Sequence, residues 1–191
     1  MNVADVEKLL HQYDDCRASI EVISVEKESG VPLCKLSDTA YSYDQMIAKL
    51  FAREEERSKS VDVVSIKDGV VNFIEFKDAH MHHRPVKQDI RMKISESLHS
   101  FERIIMDNNF MVTHGIRSRF ILVYSKQKNE EYLRKQREKE PRVLNDALLS
   151  FSTLSTQKDF VHDKYDKLWH YVSEAISMNE EDFAQNKSLY L

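Results

Sequence analysis

Asp62, Glu75 and Lys77 have the residue types and spacing that could do chemistry, in the segment VDVVSIKDGVVNFIEFK at residues 61–77. Asp68-Gly69 between two β-rich runs is a strong signal for a two-residue hairpin loop. With that loop, Lys67 faces Val70 and Asp62 falls directly opposite Glu75, their Cβ atoms about 5 Å apart. Side chains two apart share a face, so Val64, Ile66, Val71, Phe73 and Lys77 join them. One face of the hairpin is then apolar until its open end, where two carboxylates and an ammonium converge. Like charges directly opposite destabilise a strand pair, and a buried carboxylate pair raises one pKa or demands a cation. Two such carboxylates suit a hard divalent ion, Mg²⁺ or Mn²⁺, which takes oxygen ligands and keeps several waters. A lysine beside that ion can orient or deprotonate an attacking water, or stabilise a pentavalent phosphate. The ion lowers the water's pKa and polarises the phosphoryl oxygen.

The pattern D-x12-E-x-K formed by Asp62, Glu75 and Lys77 resembles the signature of the PD-(D/E)XK nuclease superfamily. The Glu75-Phe76-Lys77 triplet followed by Lys93-Ile94-Ser95-Glu96-Ser97-Leu98 is similar to bacterial and phage members of that group. The Pro of the family name is Val61 here. The resemblance covers roughly residues 42–124. It implies a restriction-endonuclease-like core of α/β (α+β) class, a small mixed sheet flanked by helices, with Asp62 and Glu75 as metal ligands. It also implies a further acid from the upstream helix, where Glu54, Glu55 and Glu56 are candidates with Glu55 preferred and Asp44 a weaker choice. The helix after the hairpin presents a polar residue to the site in such folds, which points to Gln88 and Lys93 as site-facing or phosphate-contacting, with Lys87 and Arg91 beside them.

Each of these residues has a plainer reading. Glu54–Glu56 can be a charged helix end, and Asp89, Lys93 and Glu96 share a helix face on which an i,i+4 ion pair forms. His80, His82 and His83 lie just past Lys77, but no further ligand is spaced to complete a transition-metal site, so they read as loop residues. The run SKQKNEEYLRKQREKEPR (125–142) is a solvated helix with a positive surplus that could grip a phosphate backbone non-specifically. Trp169, Tyr165, Leu168 and Val172 fall on one side of the last helix and read as core.

The elements that must position these groups follow from periodicity. Residues 3–17 read as a helix, Ile20–Val25 as a strand, and Ser42 to about Arg57 as an amphipathic helix through Met46, Ile47, Leu50 and Phe51. Strands at 61–67 and 70–77 form the hairpin. Pro85 opens a long helix, about 86–107, with a buried stripe of Ile90, Ile94, Leu98, Phe101 and Ile105. The apolar run 119–124 (RFILVY) is a buried strand. Helices at about 129–139, 142–151 and 159–178 complete the chain as a helical C-terminal extension. The division is 1–40 for N-terminal elements, 41–125 for the core and 126–191 for the extension, packed as a single domain.

Composition sets outer limits. The 191 residues include three Gly, three Pro and two Cys, with 41% hydrophobic and 31% charged, enough for one real core. No window reaches the roughly 18 apolar residues of a membrane span, and the N-terminus lacks a secretory pattern, so a cytoplasmic location with no membrane partner is expected. Cys16 and Cys34 indicate neither a disulfide framework nor a zinc finger. Net charge is −4, yet residues 117–142 carry nine Lys/Arg against four Asp/Glu. A polyanion partner would therefore meet a local basic surface. The leading expectation is a Mg²⁺- or Mn²⁺-dependent nuclease acting on nucleic acid, DNA ahead of RNA, with a homodimer through the helical tail as an accompanying expectation. A catalytically inactive module of the same fold, binding nucleic acid or a protein, is the alternative. A third reading is an α-helical interaction protein in which Asp62 and Glu75 do not converge.

Overall fold

The computed structural model describes residues 3–27, 29–51, 53–108, 117–139 and 172–191. Its centre is the Asp-Gly hairpin. Asp68 and Gly69 both take positive φ (49° and 76°), the left-handed pair a type I′ loop requires. That loop fixes β3 (Val63–Lys67) against β4 (Val70–Lys77), antiparallel, with Lys67 opposite Val70 and Val63 opposite Ile74. Two short strands, β1 (Arg17–Ser19) and β2 (Thr39–Ser42), extend the sheet antiparallel beyond β3. On the other side β5 (Arg117–Tyr124) and β6 (Glu174–Asn179) run parallel to β4, completing a six-stranded mixed sheet in the order β1 to β6.

Among the described residues six helices accompany it: α1 (Val3–His11), α2 (Ile20–Ile23), α3 (Tyr43–Leu50), α4 (Arg84–Asp107), α5 (Lys126–Lys139) and α6 (Glu180–Asn186). Side chains of α1, α3 and α4 pack with Val64, Val71, Phe73, Phe120 and Leu122 on one sheet face. Ile20, Phe183 and Tyr190 pack with Val63, Ile74, Phe76, Ile121 and Val123 on the other. The alternation read from the hairpin therefore holds: Val64, Val71 and Phe73 face α4, with Ile66 packed against the same cluster. In α4 the buried stripe runs through Ile90, Ile94, Ser97, Phe101, Ile104 and Ile105, and Leu98 lies at its margin.

Several elements differ from expectation. Ile20–Val25 is not a strand. Ser19 caps a single helical turn by accepting from the Val22 N–H at 3.3 Å, a local bond that competes with strand pairing, and only Val25 bridges, to Pro32. The helix from Ser42 stops at Leu50. There Phe51 turns extended, its carbonyl accepting from Arg57 Nε at 3.1 Å, and Glu54–Glu56 forms a separate 3-10 turn. Of the last expected helix, 159–178, residues 159–171 lie outside the described residues, and 174–178 belong instead to strand β6, because the open side of β5 supplies pairing partners that no local pattern reveals. The tail is thus not wholly helical. The helix at 142–151 and the residues Trp169, Tyr165 and Leu168 lie outside the described residues, whereas Val172 is buried with the α4-side core. No helix among the described residues is long and apolar enough to cross a membrane.

Candidate active site

The open end of the hairpin forms one wall of a pocket of about 160 Å³, lined by Asp44, Asp62, Glu75, Lys77, Asp78 and Lys93 and by residues 23–27. β4 delivers Glu75 and Lys77 from the face that meets α4. Asp62 stands one residue before β3 and leaves the regular ladder: its N–H donates to the Ile74 carbonyl, and its Oδ2 accepts from the Phe76 N–H at 2.6 Å. The side chain thus replaces a missing ladder bond, and the remaining oxygen, Oδ1, is turned toward Lys93 at 3.7 Å. Tyr43 at the head of α3 ties down the same turn through its N–H to the Asp62 carbonyl, while its hydroxyl bonds the α4 backbone at Ser97.

Lys93 reaches across from α4 and donates to both oxygens of Glu75, at 2.8 and 2.9 Å. Glu75 is fully buried. Burial, reinforced by the charge of Asp62, pushes its carboxyl well above the usual range against the pull of Lys93. Burial likewise lifts Asp62 to about 6, opposed by Lys93 and the Phe76 N–H. Lys93 moves up in turn, because the two carboxylates outweigh its own desolvation. The site is a fully buried acid and a partly buried one sharing one ammonium.

Lys77 points into a second ion pair. Its Nζ donates to Asp89 Oδ2 at 2.8 Å, and Lys59 Nζ holds Asp89 Oδ1 at 2.6 Å. Burial raises the Asp89 carboxyl, but these two lysines overcome it and hold it near 2. Asp89 thereby fixes Lys77 at the pocket wall.

The expected site residues sort unevenly. Asp62, Glu75 and Lys77 line one pocket. Lys93 joins them, bound to Glu75 rather than waiting for phosphate, and the ion pair that spacing suggested between Asp89 and Lys93 is replaced by bonds from each to the hairpin. Glu55, like Glu54 and Glu56, is exposed on the 3-10 turn and does not line the pocket; the shortened α3 removes the helical phase that would have aimed it inward. The acid α3 contributes is Asp44, which accepts from Ser60 Oγ. Gln88 is exposed, Lys87 and Arg91 are half-buried, and none of the three lines the pocket, because a helix that aims Asp89 and Lys93 at the sheet turns these neighbours away. His80 bonds the Lys128 carbonyl and His82 stacks on Tyr132 at 4.6 Å, a packed loop rather than a metal cluster. Of the basic α5 residues, Lys126, Lys128 and Arg134 pair with Glu181, Asp78 and Glu138.

Asp89 is the residue sequence reasoning undervalued. Its signal was an acid one turn before Lys93, beside the buried stripe of α4. Among the described residues, no three His, Cys, Asp or Glu side chains stand close enough in this arrangement to hold a metal ion. By donor chemistry the residues nonetheless suit a hard cation: Glu75 offers two oxygens, Asp62 one, and Asp44 stands on the same pocket. The lining counts five acidic side chains (Glu26, Asp44, Asp62, Glu75, Asp78) against three lysines (Lys27, Lys77, Lys93). No family model, curated protein or solved structure matches the chain.

Proposed function

We propose that this chain is a divalent-metal-dependent nuclease that hydrolyses phosphodiester bonds, DNA ahead of RNA, on a restriction-endonuclease-like core. The observation that carries the reading is the convergence of Asp62, Glu75 and Lys77 on one pocket at the open end of a single hairpin. Asp62 Oδ1 and both oxygens of Glu75 would hold Mg²⁺ or Mn²⁺, with Asp44 replacing Glu55 as the helix-borne acid. When bound, such an ion supplies Lewis acidity and a water of lowered pKa. The chain's own residues do the rest. Lys77, steadied by Asp89, offers an ammonium that orients a water or balances charge gathering on phosphate oxygens, and Asp62 is kept in place by the Phe76 N–H. A low-dielectric pocket makes each of these fixed charges count for more than it would in water.

One observation favours a second reading. Lys93 already neutralises the acid pair, as a catalytically inactive module binding nucleic acid or a protein would need.

Plasmid, single-stranded DNA and RNA incubated with the protein in Mg²⁺, Mn²⁺ or EDTA, beside Lys77→Ala, separate the two. Metal-dependent cleavage that vanishes in the variant supports the nuclease and names its substrate. Cleavage that survives in the variant discredits the site. Absence of cleavage together with absence of Mn²⁺ binding by calorimetry leaves the inactive module.

A further inference from the structure

We propose that Lys93 is a built-in occupant of the cation position, so that a divalent ion enters this pocket only by displacing its ammonium. The inference rests on the metal-dependent reading and goes beyond it by assigning what the ion must compete with.

Three oxygens are available to a cation at the hairpin end. Asp62 Oδ2 is committed to the Phe76 N–H at 2.6 Å, which leaves Asp62 Oδ1 and the two oxygens of Glu75. Lys93 Nζ faces these same three, at 3.7, 2.8 and 2.9 Å. A hard divalent ion binds carboxylate oxygens at about 2.0–2.6 Å, so it and the ammonium cannot share the set, and they repel one another. Lys77 is no substitute occupant, because Asp89 holds it together with Lys59. Lysine suits a displaceable role: a compact, strongly hydrated charge on a four-carbon stem can withdraw to the pocket mouth without moving α4. Lys93 also lines that pocket and keeps 18% of its side chain exposed, which gives it a way out. The ammonium therefore keeps a buried acid and a partly buried one together in the absence of metal, and its departure is part of the cost of loading.

Calorimetric titration of Mn²⁺ alone into the wild-type chain, Lys93→Met and Lys93→Arg tests this without any nucleic acid. Lys93→Met keeps the length of the side chain and removes the charge, and we expect it to bind Mn²⁺ at least ten-fold more tightly than the wild type. Lys93→Arg keeps the charge and should bind no more tightly than the wild type. Should Lys93→Met fold only when Mn²⁺ is present, that dependence, read by circular dichroism, supports the same conclusion. Equal or weaker Mn²⁺ binding in Lys93→Met overturns the proposal, as does equal tightening in Lys93→Met and Lys93→Arg. The two readings fail separately: Mn²⁺ binding and cleavage with no gain in Lys93→Met sinks the displacement alone. A gain in Lys93→Met with no cleavage by any variant sinks the nuclease and leaves the displacement standing.

Discussion

Strand β4 buries a polar side chain on each of its faces, Asn72 toward the C-terminal tail and Glu75 toward α4, and both are fully buried. Their surroundings differ in kind. Asn72 Nδ2 donates to the Tyr190 carbonyl at 3.1 Å, a neutral bond to the backbone, and Ser65 Oγ donates to the same carbonyl. Glu75 sits beside another acid and is satisfied by one lysine on a flexible stem. The first arrangement carries no charge and is held by Nδ2 alone, with Asn72 Oδ1 buried and without a hydrogen-bond partner. The second concentrates charge of one sign and relies on a single movable counter-charge, which is costly for stability alone. The neutral amide pins the segment around Tyr190, whereas the acid pair depends on the charge of Lys93.

The comparison breaks most visibly in activity. Lys77→Ala and Glu75→Gln should each lower Mn²⁺-dependent cleavage by roughly 10²–10⁴-fold, the range of a positioned acid–base group, while Asn72→Leu leaves turnover near the wild-type rate in the same assay. Stability comes next. Without metal, Lys93→Met should cost about 3–5 kcal/mol in urea unfolding, the usual result of leaving buried charge uncompensated, and Glu75→Gln in the same chain should recover much of it.

The pH dependence sharpens the contrast. Asp62 binds its proton more tightly in the fold (about 6, from 3.8), so its contribution is fully present below pH 3.8 and is lost as pH rises through 6. Asp89 has the opposite sign: held near 2, it stabilises above pH 3.8 and loses that contribution as pH falls toward 2. The wild type should therefore melt higher at pH 5 than at pH 7.5, by on the order of 2 kcal/mol. Differential scanning calorimetry should find that gain missing from Asp62→Asn/Glu75→Gln and intact in Asn72→Leu. Replacing Asn72 by Leu should itself cost only about 1 kcal/mol, since Ser65 still serves the Tyr190 carbonyl. Smallest of all, Glu55→Ala should stay within about 0.5 kcal/mol and leave Mn²⁺ affinity unchanged.

What could be read in advance follows the range of the forces involved. Asp68-Gly69, the alternation of Val64, Val71 and Phe73, and the stripe of α4 are local patterns, and they placed Asp62, Glu75 and Lys77 on one wall. Strands β1 and β2 have three and four residues, too few for an alternation to register. β6 is written EAISMN, a mixture that becomes a strand only because β5 is there to pair with it. Glu55 was favoured because a helix was extended seven residues too far, past Phe51, where tertiary packing ends it. Lys93 as the partner of Glu75, and Asp89 as the clamp on Lys77, depend on how α4 lies across the sheet, and the spacing within α4 holds no information about that crossing.

The position of β4 inside the sheet has a consequence for time. β4 is laddered to β5 along its whole length and to β3 through Ile74, so the amide proton of Glu75 should meet solvent deuterium only when the central sheet itself comes apart. The opposite rim, residues 23–27, lies between the three-residue β1 and the four-residue β2 at the sheet's edge, held by the Leu33 N–H on the Ser24 carbonyl, the Glu26 N–H on the Val31 carbonyl and Ser24 Oγ on the Cys34 backbone. Deuterium uptake there should run orders of magnitude faster than in β4. Exchange at Glu75 should therefore report the lifetime of the fold itself, and exchange across the rim a local opening that leaves the fold intact.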